Sequence, residues 1–166
     1  QFNFSWQSKL IKYFRFVFPS KIKIVNKPWG KEEWLSDGSE TKFAFKKILI
    51  KAPKKSSIQF HEFKEENIYI ASGSGLFHYH EKKIDVQKFK NEQYSIEEIN
   101  TIISEMKSIE IGPGFSAVVK VGTIHSVEAL TDITIFEAST TELEDVFRLN
   151  DEYGRDHGHI KSEHEN

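Results

Sequence analysis

Ser57-Ile58-Gln59-Phe60-His61-Glu62-Phe63-Lys64-Glu65-Glu66-Asn67-Ile68-Tyr69-Ile70-Ala71-Ser72-Gly73 is the stretch on which the reading of this chain turns. Its two ends, Ser57–His61 and Asn67–Ala71, read as strands, and Ser72-Gly73-Ser74-Gly75 turns the chain into a third, Leu76–His80. Residues two apart on a strand share a face, so Gln59 and His61 can approach one ion. Glu66 follows five residues after His61, room for a turn and a return onto the neighbouring strand. His125 follows Gly122-Thr123-Ile124, a turn opening a distant strand. Two imidazoles, an amide oxygen and a carboxylate form a mixed nitrogen and oxygen donor set. Four such donors with an open position describe a catalytic metal site rather than a closed structural one. A histidine on a strand is, by spacing alone, more often a packed or surface residue than a ligand.

Outward from this stretch the strand signals continue. Phe43, Phe45, Lys47 and Leu49 alternate with Ala44, Lys46, Ile48 and Ile50. Strands are expected at Ile109–Ile111, Ser116–Val121, Thr123–Leu130 and Ile133–Ala138. Residues 81–108 are charged, and Ser95-Ile96-Glu97-Glu98 has the form of a capping box, which predicts a helix from about Ile96 to Lys107 inserted between two hairpins. Trp6, Leu10, Tyr13, Phe14 and Val17 recur at helical spacing, predicting a helix from Phe4 to Val17 that Pro19 ends. That helix either packs on the barrel or at a subunit interface, or lays its basic and aromatic side chains on a membrane surface. The expected organisation is an N-terminal extension over 1–20, a β domain over 21–150 and a polar tail over 151–166. Many short strands separated by turns favour a barrel or sandwich.

The 166 residues suit one domain, and the 14 Phe, 5 Tyr and 3 Trp argue for a packed core. With no cysteine, disulfides and thiolate metal sites are excluded, which fits a cytoplasmic protein. A formal net charge of -2 provides no overall field for nucleic acid. Residues 1–31 nevertheless carry basic side chains and no Asp or Glu. No apolar stretch reaches the roughly 20 residues of a membrane span. The run Tyr13–Phe18 is short and interrupted by Arg15, a poor signal peptide.

Two ordered motifs resemble those of the cupin superfamily. The first, G-x5-H-x-H-x(3,4)-E-x6-G, is met in its latter part by Gln59, His61, Glu66 and Gly73, with Gln59 in place of the first His. The second, G-x5-P-x-G-x2-H-x3-N, is met by Gly114, Gly122 and His125, with Lys120 for its Pro and Ala129 for its Asn. The implied fold is all-β: a single-domain cupin, the double-stranded β-helix or jelly-roll barrel, carrying an N-terminal helix and a helical insertion. More narrowly, the chain resembles the cupin domain of type II mannose-6-phosphate isomerases, in which Gln-x-His replaces His-x-His. Lys27-Pro28-Trp29-Gly30, Lys47, Ser57–His61, Gly122–His125, Glu128, Asp145–Arg148 and Asp151–Arg155 carry that likeness. Glu62, Phe63, Lys64 and Ser126 depart from it, replacing polar and basic residues beside the metal.

The resemblance implies a divalent metal ion (Zn, or Mn, Fe, Co or Ni) on Gln59, His61, Glu66 and His125. It further implies a metal-dependent isomerase of a sugar or sugar phosphate, interconverting aldose and ketose. Lys47, Glu128 and Arg148 are the catalytic candidates, and Lys64 and Arg148 those for holding an anionic or hydroxyl group. Lys47 is a buried cation if its face lines the barrel and an ordinary surface lysine otherwise. Arg148 has the alternative of an ion pair with Glu144 or Asp145. A small carbohydrate-like ligand and a homodimer are the partners expected. The alternatives are a non-catalytic cupin binding a sugar-like ligand and an iron-dependent dioxygenase, since two His and one carboxylate suit that chemistry too.

Overall fold

The computed structural model describes residues 10, 11, 14–150, 152, 153, 158 and 159. In chain order the strands are β1 (Leu10–Ile11), β2 (Phe14–Arg15), β3 (Lys23–Lys27), β4 (Gly30–Ser36), β5 (Ala44–Ile50), β6 (Ile58–Phe60) and β7 (Glu66–Ser72). They continue with β8 (Gly75–Tyr79), β9 (Lys107–Ile111), β10 (Ser116–Val119), β11 (His125–Ala129), β12 (Ile133–Ser139), β13 (Phe147–Asn150) and β14 (Gly158–His159). Helices α1 (Val86–Lys90) and α2 (Ile96–Ser104) lie between β8 and β9.

Two six-stranded antiparallel sheets carry the fold. One has the order β10-β7-β12-β5-β4-β3, the other β14-β13-β6-β11-β8-β9. Strands adjacent in sequence repeatedly fall in opposite sheets: β6 and β7, β10 and β11, and β12 and β13. This is the jelly-roll arrangement, which buries one face of each strand between the sheets. The alternation shows in β7, where Glu66, Ile68 and Ile70 are buried and Asn67 and Tyr69 exposed. The core between the sheets gathers Trp29, Ile50, Ile70, Phe77, Val127 and Ile135. Each such side chain contributes about 1.5–3 kcal/mol by leaving water.

A second apolar cluster forms on the other side of the β6 sheet. Phe60 stacks on Phe147 with ring centroids 5.0 Å apart and meets Phe89 of α1 edge-on at 5.1 Å. Ile99, Ile102 and Ile103 of α2 pack against the same cluster. The helices therefore cover an outer sheet face that the alternation of β6 leaves apolar.

Two glycines of the quoted motifs have backbone reasons. Gly73 turns β7 into β8 at φ +82°, and a Cβ there would lie 2.2 Å from the Asp132 carbonyl oxygen. Gly30 starts β4 at φ +155°, where a Cβ would lie 1.9 Å from the Leu49 carbonyl oxygen.

Two expectations are corrected. Most of the helix expected over Phe4–Val17 lies outside the described residues, but Leu10–Ile11 and Phe14–Arg15 pair as antiparallel strands. Leu, Ile and Phe accept extended backbone as readily as helix, so apolar spacing alone did not discriminate. Helix α2 ends at Ser104 and not near Lys107, because Lys107 and Ser108 pair with Tyr79 and His78 of β8. Within the polar tail, Gly158–His159 pairs with β13, and Tyr153 packs against the core and bonds Lys55.

Candidate metal centre

Three side chains converge from three strand ends. His61 follows β6, Glu66 opens β7 and His125 opens β11. His125 Nε2 lies 3.2 Å from Glu66 Oε1, and His61 Nε2 lies 3.5 Å from Glu66 Oε2. All three residues are buried, and their donor atoms lie within 4.8 Å of one another. His61 Nδ1 donates to the Asp145 carbonyl at 2.5 Å and His125 Nδ1 to the Thr123 carbonyl at 3.0 Å. These carbonyls fix each neutral ring with its Nε2 lone pair turned inward. Two lone pairs then face one carboxylate, so three acceptors converge on one point. His61 Nε2 is fully buried and has no hydrogen-bond partner. The donor chemistry and this orphaned nitrogen fit a divalent ion.

Gln59 is the cross-strand neighbour of His125 and lines the same cavity, and its Oε1 accepts from the Ser57 hydroxyl at 2.8 Å. Arg148 is the cross-strand neighbour of Gln59 on β13 and is buried, but it does not line the cavity. Lys64 does line it. Its ammonium sits 2.6 Å from Glu66 Oε2 and 2.8 Å from Glu137 Oε1. Burial alone would raise the Glu66 carboxyl. The Lys64 ammonium beside it outweighs burial and holds the group well below the usual range. Burial would likewise lower Lys64, but Glu137 and Glu66 carry it above the ordinary lysine value.

Two expected site residues are turned elsewhere. Lys47 points to the outer face of β5, one-third exposed, 3.3 Å from Glu33. The inward lysine is its neighbour Lys46, 3.1 Å from Glu32 Oε2 and stacked over the Trp34 ring. Strand alternation offered both faces of β5, and the aromatic one proved to be outside. Glu128 alternates away from His125 and bonds His78 Nε2 at 2.8 Å. Ser126, also turned from the cavity, donates to the Ser56 carbonyl at 2.9 Å.

Glu32, Glu137 and Asp145 had no sequence signal as site residues. Asp145 accepts from the backbone N–H groups of Glu62 at 3.0 Å, Phe63 at 2.5 Å and Lys64 at 2.7 Å. It thereby fixes the turn that joins His61 to Glu66. The cavity has a volume of about 70 Å³, with apolar walls from Ile48, Ile68, Ile135 and Val127.

Two facing jelly-roll sheets with buried donors at the inner ends of β6, β7 and β11 define a cupin barrel. No protein-family model matches the chain, and no curated protein matches it. Solved structures do share its fold. Oxalate decarboxylase from Lactobacillus farciminis aligns at TM-score 0.60 and 12% identity, over 82% of this chain and 36% of that one. The capsular polysaccharide assembling protein CapF from Staphylococcus aureus aligns at 0.57 and 12%, over 81% and 37%. A cupin-2 domain from Rhodospirillum rubrum aligns at 0.57 and 10%, over 83% and 80%. The chain spans little more than a third of the first two proteins. At these identities the likeness establishes the cupin fold alone. Among the described residues no helix is long and apolar enough to cross a membrane.

Proposed function

We propose that this barrel binds one divalent metal ion through His61, Glu66 and His125, with the Gln59 amide beside them. We further propose that it serves aldose–ketose isomerisation of a sugar or sugar phosphate. The observation that supports the metal is the pair of inward Nε2 lone pairs facing the Glu66 carboxylate, each ring locked by a carbonyl on its other nitrogen. The isomerase reading is supported by the Gln-x-His resemblance and by the charged wall around the cavity. A divalent ion at these donors supplies Lewis-acid polarisation of substrate oxygens. The chain's own groups would do the rest. The Lys46 and Lys64 ammonium groups would donate to substrate hydroxyl or phosphate oxygens. The Glu137 carboxylate, in place of Lys47 and Glu128, would take a proton from one carbon and return it to the next.

A second reading, a non-catalytic cupin, is favoured by the cavity, which is small for a sugar phosphate. Its volume of about 70 Å³ is below the roughly 300 Å³ at the small end of ligand pockets. One experiment separates the two. Metal content of the purified protein is measured, and turnover is then assayed across aldose phosphates. The isomerase reading expects stoichiometric metal and turnover that His125→Ala removes, with metal affinity reduced at least about tenfold. Bound metal with no turnover on any aldose phosphate decides for the second reading. No bound metal in the wild type under any loading condition overturns the metal-dependent isomerase and leaves the second reading standing.

A further inference from the structure

An ammonium already stands on the carboxylate that the proposed metal needs. Lys64 Nζ is 2.6 Å from Glu66 Oε2, the same oxygen that faces His61 Nε2 at 3.5 Å. Lys64 and Glu66 are 4% and 6% exposed, so water screens neither. A divalent ion and this ammonium would draw on one carboxylate and repel each other within the same buried space. The lysine also has a second place to go. Glu137 Oε1 lies 2.8 Å from the same nitrogen and is equally buried. Glu66 and Glu137 occupy neighbouring strands β7 and β12, with side chains on the same inner face. Lys64 can therefore leave Glu66 without entering solvent and without losing its charge partner. Its backbone is held throughout by Asp145.

We propose that Lys64 is a tethered competitor for the metal. It neutralises Glu66 in the metal-free barrel, passes to Glu137 when the ion binds, and so sets the affinity of the site. This rests on the metal reading of His61, Glu66 and His125. Its consequence is a site that is weaker and more readily emptied than its donor set alone would give. The metal-free barrel in turn avoids an unpaired buried carboxylate.

The test is titration calorimetry of the chelator-treated full chain with Zn²⁺ alone or Mn²⁺ alone, at fixed pH and with no substrate. Lys64→Met combined with Glu137→Gln removes the ammonium and its alternative partner together, leaving the Glu66 carboxylate to the ion alone. Zn²⁺ should then bind about tenfold more tightly or better, the scale of one lost charged hydrogen bond. Glu137→Gln alone should act in the opposite direction. Lys64 then has only Glu66, and affinity should fall by about threefold or more. Circular dichroism melts report whether each variant is folded, and the two opposed shifts guard against a merely structural effect. Wild-type binding that His125→Ala abolishes but the double variant leaves unchanged overturns the role of Lys64 and spares the metal reading. Tighter binding in Glu137→Gln overturns it as well. No binding in any folded variant overturns both. Binding that first emerges in the double variant supports the competitor role directly.

Discussion

Asp145 accepts three backbone N–H bonds through its carboxylate, from Glu62, Phe63 and Lys64, while its carbonyl takes Nδ1–H of His61. One residue thus orients His61 of the candidate site and shapes the turn that delivers Lys64 and Glu66. Asp145→Ala leaves three donors without their acceptor, at a cost of about 2–4 kcal/mol of unfolding free energy. Denaturant unfolding should show a lower midpoint with an unchanged slope, and metal affinity should fall with it. A midpoint equal to the wild type would show that water replaces the carboxylate without loss. At this scale the sequence was legible where spacing encodes geometry: the Gln59 and His61 pair, Glu66 and His125 all line the cavity. It was not legible where the partner is distant in the chain. Asp145 lies 84 positions from His61, and Glu137 lies 73 from Lys64. Lys46 was hidden by a different ambiguity. Both faces of β5 are apolar, and only pairing with β4 and β12 decides which one turns inward.

Helix α2 shows what an element can and cannot declare about itself. Its start is written locally: the Ser95 hydroxyl accepts from Glu98 N–H at 3.1 Å, and the Glu98 carboxylate accepts from Ser95 N–H at 2.8 Å. Its end is written elsewhere, by the pairing of β9 with β8. The helix contains Ile99, Ile102 and Ile103, packed against the Phe60 and Phe147 cluster, and Ile96, which is 76% exposed. Ser95→Ala removes the cap and should weaken the helix by about 1 kcal/mol. Hydrogen exchange is the measurement that locates the effect. Faster exchange is expected for amides of α2, with β11 and β12 unchanged, because those central strands open only with the whole barrel. Equal acceleration in β11 and β12 would mean that α2 and the barrel unfold as one unit. The jelly-roll strands were legible for the same reason as the cap, since alternation is local. The strand pair β1 and β2 was not, because its residues satisfy helical and extended patterns alike.

Across the whole molecule, charge is sorted by depth. The buried cations Lys46 and Lys64 face Glu32, Glu66 and Glu137 inside the barrel. Outside, Glu33, Glu81, Glu98 and Asp132 each pair with lysines. Hydrogen bonds from Lys31, Lys107, Lys88 and Lys51 respectively hold these four outer carboxyls below their ordinary values. A carboxyl depressed by folding contributes stability that is present above its unfolded pKa, about 4, and is lost as pH falls through the lower folded value. The melting temperature should therefore hold steady from neutrality to about pH 5 and then fall with acid. Because these carboxyls lie at the surface, Glu33 half-buried and the others exposed, salt should weaken their share. At 1 M NaCl the screening length shrinks to about 3 Å, and the acid decline should become shallower. The buried Glu66 and Lys64 pair is screened far less, so part of the decline should survive. Melts of the metal-free protein across pH 3–7 at low and high salt, on the order of 0.05 M and 1 M, measure both parts. An acid decline untouched by salt would assign it to the interior alone. A decline abolished by salt would mean that the buried pair contributes nothing to the pH dependence of the barrel.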